Sequence, residues 1–188
     1  MPCDKHGRFS PAGTERLRLW AATGYKPGLQ QREHQDLKLL VVEDDPLIGP
    51  AVKAVLENAG YTVVGPLRDA NKAARVGARE NPDLALVDVN LAGGENGLTL
   101  ARRLWEDNKI PSLLMTGFDH HAEEAREFAM GLLRKPVMPD ALVDAVGTLA
   151  EILGGLRPSS VPSALELFHS SIASVTAASL AGPRVRSA

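Results

Sequence analysis

Asp83-Leu-Ala-Leu-Val-Asp88-Val-Asn-Leu-Ala-Gly-Gly-Glu-Asn-Gly97 is the stretch on which the reading of this chain turns. Leu84–Val87 is a continuous apolar run, too short for a helix and set behind a break at Pro82, so it reads as a strand buried on both faces. Asp88 is the residue that leaves that strand. In an open parallel sheet, ligands collect beyond the carboxyl ends of the strands, and a carboxylate there, followed by a Gly-rich loop, is placed for chemistry rather than packing.

Upstream, Leu37-Lys-Leu-Leu-Val-Val42 reads as another strand, which runs straight into Glu43, Asp44 and Asp45. Asp45 stands at the N-cap position of a helix whose apolar face is Val52, Val55 and Leu56 and which stops at Gly60; Gly49 and Pro50 make its start irregular. Tyr61–Val64 is a second short strand, ended by Gly65 and Pro66. A helix capped by Asp69 follows, with Ala70, Ala73, Ala74 and Val76 facing inward. Downstream of the quoted stretch, Gly97–Asp107 is a helix and Ile110–Met115 a strand. Asp119–Met130 reads as a polar helix, and Leu132 and Leu133 as a very short fifth strand. Pro139–Leu153 closes with Leu142, Val143, Val146, Leu149 and Ile152 at helical spacing. Five strands alternating with five helices over residues 37–154 specify an α/β, doubly wound five-stranded parallel sheet with helices on both faces.

The flanks differ in composition. Residues 1–36 mix Gly, Pro, Arg and Gln with little periodicity and read as a disordered leader, with a short helix around Thr14–Ala22 as the alternative. Residues 155–188 turn to Ser, Ala and Pro and read as a flexible tail; Leu165, Phe168, Ile172 and Val175 are spaced as in a small amphipathic helix. Of the 188 residues, 21 are Lys or Arg and 23 Asp or Glu, a net charge of -2. Residues 37–154 hold twelve of the former and eighteen of the latter, so the core carries -6 and is not built for nucleic acid. Cys3 is the sole cysteine and admits no internal disulfide, which fits a reducing compartment. No run approaches the roughly 18 apolar residues of a membrane span. The expectation is a soluble, cytoplasmic protein with no membrane or nucleic-acid partner.

The strand ends deliver Glu43 with Asp44, Asp88, Thr116 and Lys135 to one sheet edge. Singly, each has a structural reading: a helix cap, a turn former, a hydroxyl turn, a solvated cation. Together, three carboxylates about 4 to 6 Å apart repel by a few kcal/mol, of which one lysine offsets a part. A divalent cation resolves the excess, and oxygen ligands with open positions suit Mg²⁺. Lys135 and the Thr116 hydroxyl then face the remaining oxygens of a phosphoryl group, and Asp88 is placed as the nucleophile.

Leu39-Leu-Val-Val-Glu43-Asp44-Asp45, Leu86-Val-Asp88-Val-Asn-Leu91, Met115-Thr116-Gly117 and Leu133-Arg-Lys135-Pro136 resemble, in order and spacing, the four signature blocks of the response-regulator receiver domain. The resemblance covers residues 37–154 and is to the single-domain type. It implies the flavodoxin-like receiver fold, and a role in two-component or phosphorelay signalling as a receiver rather than an enzyme. A histidine kinase or histidine phosphotransfer protein would place a phosphoryl group on Asp88. Mg²⁺ would be held by Glu43, Asp44, Asp88 and the Asn90 main-chain carbonyl. Thr116 and Lys135 would stabilise the phosphoryl group and act as switch, and a downstream protein would bind through about 119–153. A homodimer stays open.

Two departures stand out. The family's aromatic three residues before the lysine is Leu132 here, and Leu114-Met-Thr-Gly-Phe118 resembles a bacterial subgroup of single-domain receivers with Thr-Gly-aromatic at this point; the expectation is that Phe118 takes part of the signalling role, with packing as the alternative. The Ala92–Gly97 loop is longer than the common form and bears on access to Asp88. His120 and His121 read as solvated residues at a helix start. A Mg²⁺-dependent phosphohydrolase is the alternative from the enzyme class, but the first strand ends Glu43-Asp44-Asp45 rather than Asp-x-Asp, as a haloacid-dehalogenase-type site needs. A non-phosphorylated interaction module is the third reading.

Overall fold

The computed structural model describes residues 37–91, 96–117, 122–154, 156, 158 and 160–168. The expectations placed on residues 1–36, on Phe118, His120 and His121, on the middle of the Ala92–Gly97 loop and on the chain after Phe168 fall outside these residues.

Among these residues six strands form one sheet: β1 (Lys38–Val42), β2 (Thr62–Leu67), β3 (Leu84–Asp88), β4 (Ser112–Thr116), β5 (Gly131–Arg134) and β6 (Leu165–Leu167). They lie in the order β2-β1-β3-β4-β5-β6, parallel throughout except for β6, which pairs antiparallel with β5. The helices between them are α1 (Ile48–Asn58), α2 (Ala70–Glu80), α3 (Gly97–Asn108), α4 (Ala122–Ala125) and α5 (Pro139–Leu153). The strand order and the helices on both faces make the doubly wound sheet that the alternation specifies, in the flavodoxin-like arrangement that the resemblance implies. β1, β3 and β4 are apolar on alternate positions of both faces, because each face is covered by helices. Leu39, Val41, Leu86, Leu113 and Leu133 pack on one side with Leu142, Val146 and Leu149 of α5. Leu40, Ala85, Val87, Leu114 and Leu132 pack on the other with the small residues of α2 and the leucines of α3.

Helix starts follow the polar residues that precede them. Asp69 accepts from Lys72 N at 2.6 Å, and Asn96 from Thr99 N at 2.9 Å. Ahead of α1, Asp45 Oδ1 accepts from Leu47 N at 2.7 Å and Ile48 N at 3.0 Å, so Asp45 holds a turn at 46–47 before the regular helix begins.

Three elements differ from the sequence expectation. β2 runs through Gly65 and Pro66 to Leu67 instead of stopping before them. It is an edge strand, where a missing donor is tolerated, and its register against β1 shifts between Leu40 and Val42. The expected helix over Asp119–Met130 is, among the described residues, the single turn Ala122–Ala125. Phe128 N and Ala129 N both bond to the Ala125 carbonyl, and Met130 N leaves for Ser112 O at 2.9 Å, which pulls the chain straight into β5. The third difference is β6. Where the tail reading placed flexible chain or an amphipathic helix, Leu165–Leu167 is a strand on the outer edge of β5, and Phe168 is fully buried.

Candidate functional site

The sheet reverses its order between β1 and β3, and that is where a crevice opens at the carboxyl edge. Strand register decides which side chains meet there. Val42 pairs with Val87, so Glu43 follows β1 beside Asp88, the last residue of β3. Asp88 pairs with Met115, which puts Thr116 one step beyond it at the end of β4. Thr116 pairs with Arg134, and Lys135 is the next residue out.

Lys135 Nζ reaches back across the sheet to Asp88 Oδ2 at 2.8 Å and Glu43 Oε2 at 3.0 Å. Glu43 is 1% exposed and Asp88 4%, so both carboxylates depend on this ammonium and on main-chain donors. Asp45 N donates to Glu43 Oε1 at 3.2 Å, and Asn90 N to Asp88 Oδ1 at 3.2 Å. Lys135 N donates to Thr116 O at 2.8 Å, which ties the start of the Lys135 loop to β4. Thr116 is buried. The bond from Lys135 to Pro136 is cis.

Burial pushes the Glu43 carboxyl up from its ordinary value, with the Asp88 charge adding to it, against the hydrogen bond from Lys135. Burial works against the Lys135 ammonium as well, but the hydrogen bonds and charges of Asp88 and Glu43 outweigh it and hold Lys135 above the usual lysine value. The lysine is thus charged and shared, and the pocket still carries more acid than base.

Glu43, Asp44 and Asp88 each offer a carboxylate oxygen, and these oxygens lie within 4.8 Å of one another. At an effective dielectric near 20, charges at that spacing repel by about 3 kcal/mol per pair. An all-oxygen donor set with excess negative charge and one side open to the surface fits a hard divalent cation such as Mg²⁺.

Glu43, Asp44, Asp88, Thr116 and Lys135 therefore arrive at one edge, as the strand ends required, and Asn90 joins them through its main chain. Phe118 lies outside the described residues. Two contributors escaped the sequence reading. Arg68 Nε donates to Asp44 O at 2.7 Å, steadying the acidic loop from the turn after β2. Its signal was a basic residue directly after a strand end on the same edge. Gly97 N donates to Val89 O at 3.0 Å, and a Cβ on Gly97 would run into the Asp88 carbonyl oxygen, so the loop returns to Asp88 at a distance that admits glycine alone. Leu47, 80% exposed at the start of α1, and Met138, 63% exposed just before α5, add apolar surface at this edge.

Among the described residues no helix is long and apolar enough to cross a membrane. The family model for the response regulator receiver domain matches residues 39–147. The chain is 31% identical over 111 residues to the phyllosphere-induced regulator PhyR of Methylorubrum extorquens, a match covering 58% of this chain and 41% of that protein. It is 29% identical over 112 residues to the transcriptional regulatory protein PdtaR of Mycobacterium tuberculosis, covering 58% and 54%. The chain spans about half the length of these curated relatives or less. Among solved structures, the receiver domain of a modulated diguanylate cyclase from Desulfovibrio desulfuricans matches at TM-score 0.52 and 32% identity, covering 56% of this chain and 86% of that one. The receiver domain of RstA from Klebsiella pneumoniae matches at TM-score 0.51 and 34% identity, covering 56% and 92%. With the family model spanning more than half of the sequence and the acidic pocket assembled at the carboxyl edge of the sheet, the chain belongs to the response regulator receiver family of two-component signalling.

Proposed function

We propose that this protein accepts a phosphoryl group on Asp88 from a phosphohistidine donor, with Mg²⁺ bound, and signals through protein contacts. The observation that carries this reading is the 2.8 Å contact between Lys135 Nζ and Asp88 Oδ2 inside a pocket of three carboxylates. A surface salt bridge does little, but a lysine held on a buried strand-end aspartate keeps an ammonium where a phosphoryl oxygen would arrive.

In the reaction, an Asp88 carboxylate oxygen attacks phosphorus. A new P–O bond forms as the P–N bond to the donor imidazole breaks, and the electron pair stays on the imidazole nitrogen, which takes up a proton. Bound Mg²⁺, held by Glu43, Asp44, Asp88 and the Asn90 carbonyl, would neutralise charge on the phosphoryl oxygens. Asn90 N–H orients the Asp88 carboxylate. Lys135 transfers one of its hydrogen bonds from carboxylate to phosphoryl oxygen, and the Thr116 hydroxyl supplies a further donor. Because Lys135 N is bonded to Thr116 O, a movement at either residue reaches β5 and the surface formed by about 119–153, through which a downstream protein would bind.

The exposed Leu47 and Met138 beside the pocket favour a protein donor, since a small acyl phosphate needs no apolar rim. The test is transfer from a histidine phosphotransfer domain carrying labelled phosphate. Label should pass to the wild type in the presence of Mg²⁺ and not to Asp88→Asn; label retained on Asp88→Asn overturns the assignment.

A further inference from the structure

β6 raises a question that the phosphoryl pocket does not answer: three residues from the far end of the chain close the outer edge of β5. The pairing is short, Gly131 with Leu167, Leu132 with Glu166 and Leu133 with Leu165. Its ends are fastened by Phe168 N donating to Met130 O at 2.9 Å and Arg134 N to Ala164 O at 3.4 Å. Leu165 enters the core on the α5 side of the sheet, and Phe168, 0% exposed, enters the core on the opposite side. Glu166 stays at the surface between two guanidinium groups, Arg126 at 2.8 Å and Arg134 at 3.4 Å. The Arg126 guanidinium also lies 5.3 Å from the centre of the Phe168 ring.

The β5 side of this contact has the form of a receptor. Gly131 lets the backbones approach: a Cβ there would sit 2.7 Å from Glu166 O and 3.3 Å from the Leu165 side chain, and no other neighbour comes closer. Arg126 and Arg134 supply the charge for an acidic residue, and a pocket in the second core takes an aromatic ring two positions later. That is how a sheet edge receives an extended peptide: main-chain bonds hold it and alternate side chains select it. β5 also belongs to the stretch read as the signalling surface, and its last residue, Arg134, directly precedes Lys135.

We propose that Leu165–Phe168 is a displaceable strap, docked in cis on a strand-binding groove of β5, and that the same groove takes an extended partner segment carrying an acidic residue two positions before an aromatic one. The strap is the resident occupant and covers the surface until it is released. Release gives up one short strand, two ion pairs and the burial of Leu165 and Phe168, while the parallel pairings of β1–β5 stay in place. The regulatory part of the proposal rests on the reading of 119–153 as the signalling surface; the groove itself does not.

The experiment uses the full-length chain and a fluorescently labelled peptide of residues 162–170. Glu166→Arg places a third cation between Arg126 and Arg134, loosening the strap while leaving the groove intact, and should bind the peptide at least tenfold more tightly than the wild type does. A peptide carrying Phe168→Ala should not bind. Adding Gly131→Val to Glu166→Arg fills the groove and should abolish binding while circular dichroism shows the fold retained. In the wild type, acyl phosphate with Mg²⁺ should raise peptide binding, and the adduct is measured by mass in the same sample. If Glu166→Arg does not stay folded, hydrogen exchange on the wild type decides: the Phe168 and Arg134 amides should exchange far faster than Ala85 in β3. A folded Glu166→Arg chain that ignores the peptide, or strap amides as slow as Ala85, overturns the strap as displaceable. A phosphorylated wild type with unchanged peptide binding overturns its control by the pocket and leaves the receiver reading standing. Binding that rises while no adduct forms supports the strap and removes the phosphoacceptor reading of Asp88. A dimer abolished by Gly131→Val would put the strap of a second copy in the groove and overturn the cis arrangement.

Discussion

Lys135 Nζ lies 2.8 Å from Asp88 Oδ2, and the same ammonium holds Glu43 Oε2 at 3.0 Å, so one cation serves two carboxylates that water scarcely reaches. The lysine comes from the loop after β5, and the two acids come from the ends of β3 and β1. The contact therefore spans the sheet at the point where its order reverses.

Removing that cation should destabilise the protein in the absence of metal. Breaking a buried pair from one side costs about 3 to 5 kcal/mol. The Lys135 side chain is 24% exposed, which places Lys135→Ala at the lower end, about 3 kcal/mol. Urea unfolding with EDTA present measures it. Adding Glu43→Gln to Lys135→Ala should recover most of the loss, because the uncompensated acid disappears. A Lys135→Ala protein as stable as the wild type would contradict the pairing.

Mg²⁺ should act as a stabilising ligand. At about a hundredfold its dissociation constant, a ligand that binds only the folded state adds about 2.7 kcal/mol. A thermal-shift titration should show this gain in the wild type. In Asp44→Asn it should appear only at much higher Mg²⁺, because a charged ligand has been lost from a three-carboxylate set. Equal titrations for the two proteins would show that the cluster is not the metal site.

Gly97 should not tolerate alanine. Its Cβ would overlap the Asp88 carbonyl oxygen and come within 2.8 Å of Val89 Cα, and both are backbone atoms that cannot step aside. Overpacking of this kind costs about 1 to 3 kcal/mol. The displacement falls on Asp88 itself, so Gly97→Ala should both lower the urea midpoint and change the rate of adduct formation from acyl phosphate. A stability loss with an unchanged rate would mean that the loop adjusts without moving Asp88.

Much of this was legible in the chain because it was local. Four-residue apolar runs behind Pro82 and between turn residues mark strands buried on both faces, and each strand end names the next polar residue in line. What escaped depends on partners distant in sequence. Leu165 and Phe168 keep a helical spacing, and nothing in Leu-Glu-Leu-Phe announces that the free edge of β5 waits with a glycine and two arginines. Gly65 and Pro66 look like a strand end, but on an edge strand they become a shift in register. Asp119–Met130 has a helix's composition, yet Met130 N is claimed by Ser112 O and the helix gives way. In the pocket, the acids, Thr116 and Lys135 were readable from strand ends, whereas Arg68 on the Asp44 carbonyl and Gly97 against Asp88 come from the folded loops.

The apolar rim separates a protein donor from a small one. Leu47→Asp and Met138→Lys each place a charge where an apolar contact would form. Each should slow transfer from a phosphorylated histidine phosphotransfer domain by roughly tenfold, the size of one buried interface anchor. Adduct formation from an acyl phosphate should stay unchanged. An equal loss with both donors would mean that the substitutions disturb the pocket.

The central claim is that Asp88 carries the phosphoryl group. The most direct measurement is to incubate the protein with an acyl phosphate and Mg²⁺ and locate the adduct by peptide mass spectrometry. The predicted result is one acid-stable, base-labile phosphoryl group on the peptide containing Asp88, dependent on Mg²⁺ and absent from Asp88→Asn. A phosphoryl group on another residue, or one that persists in Asp88→Asn, would contradict the account.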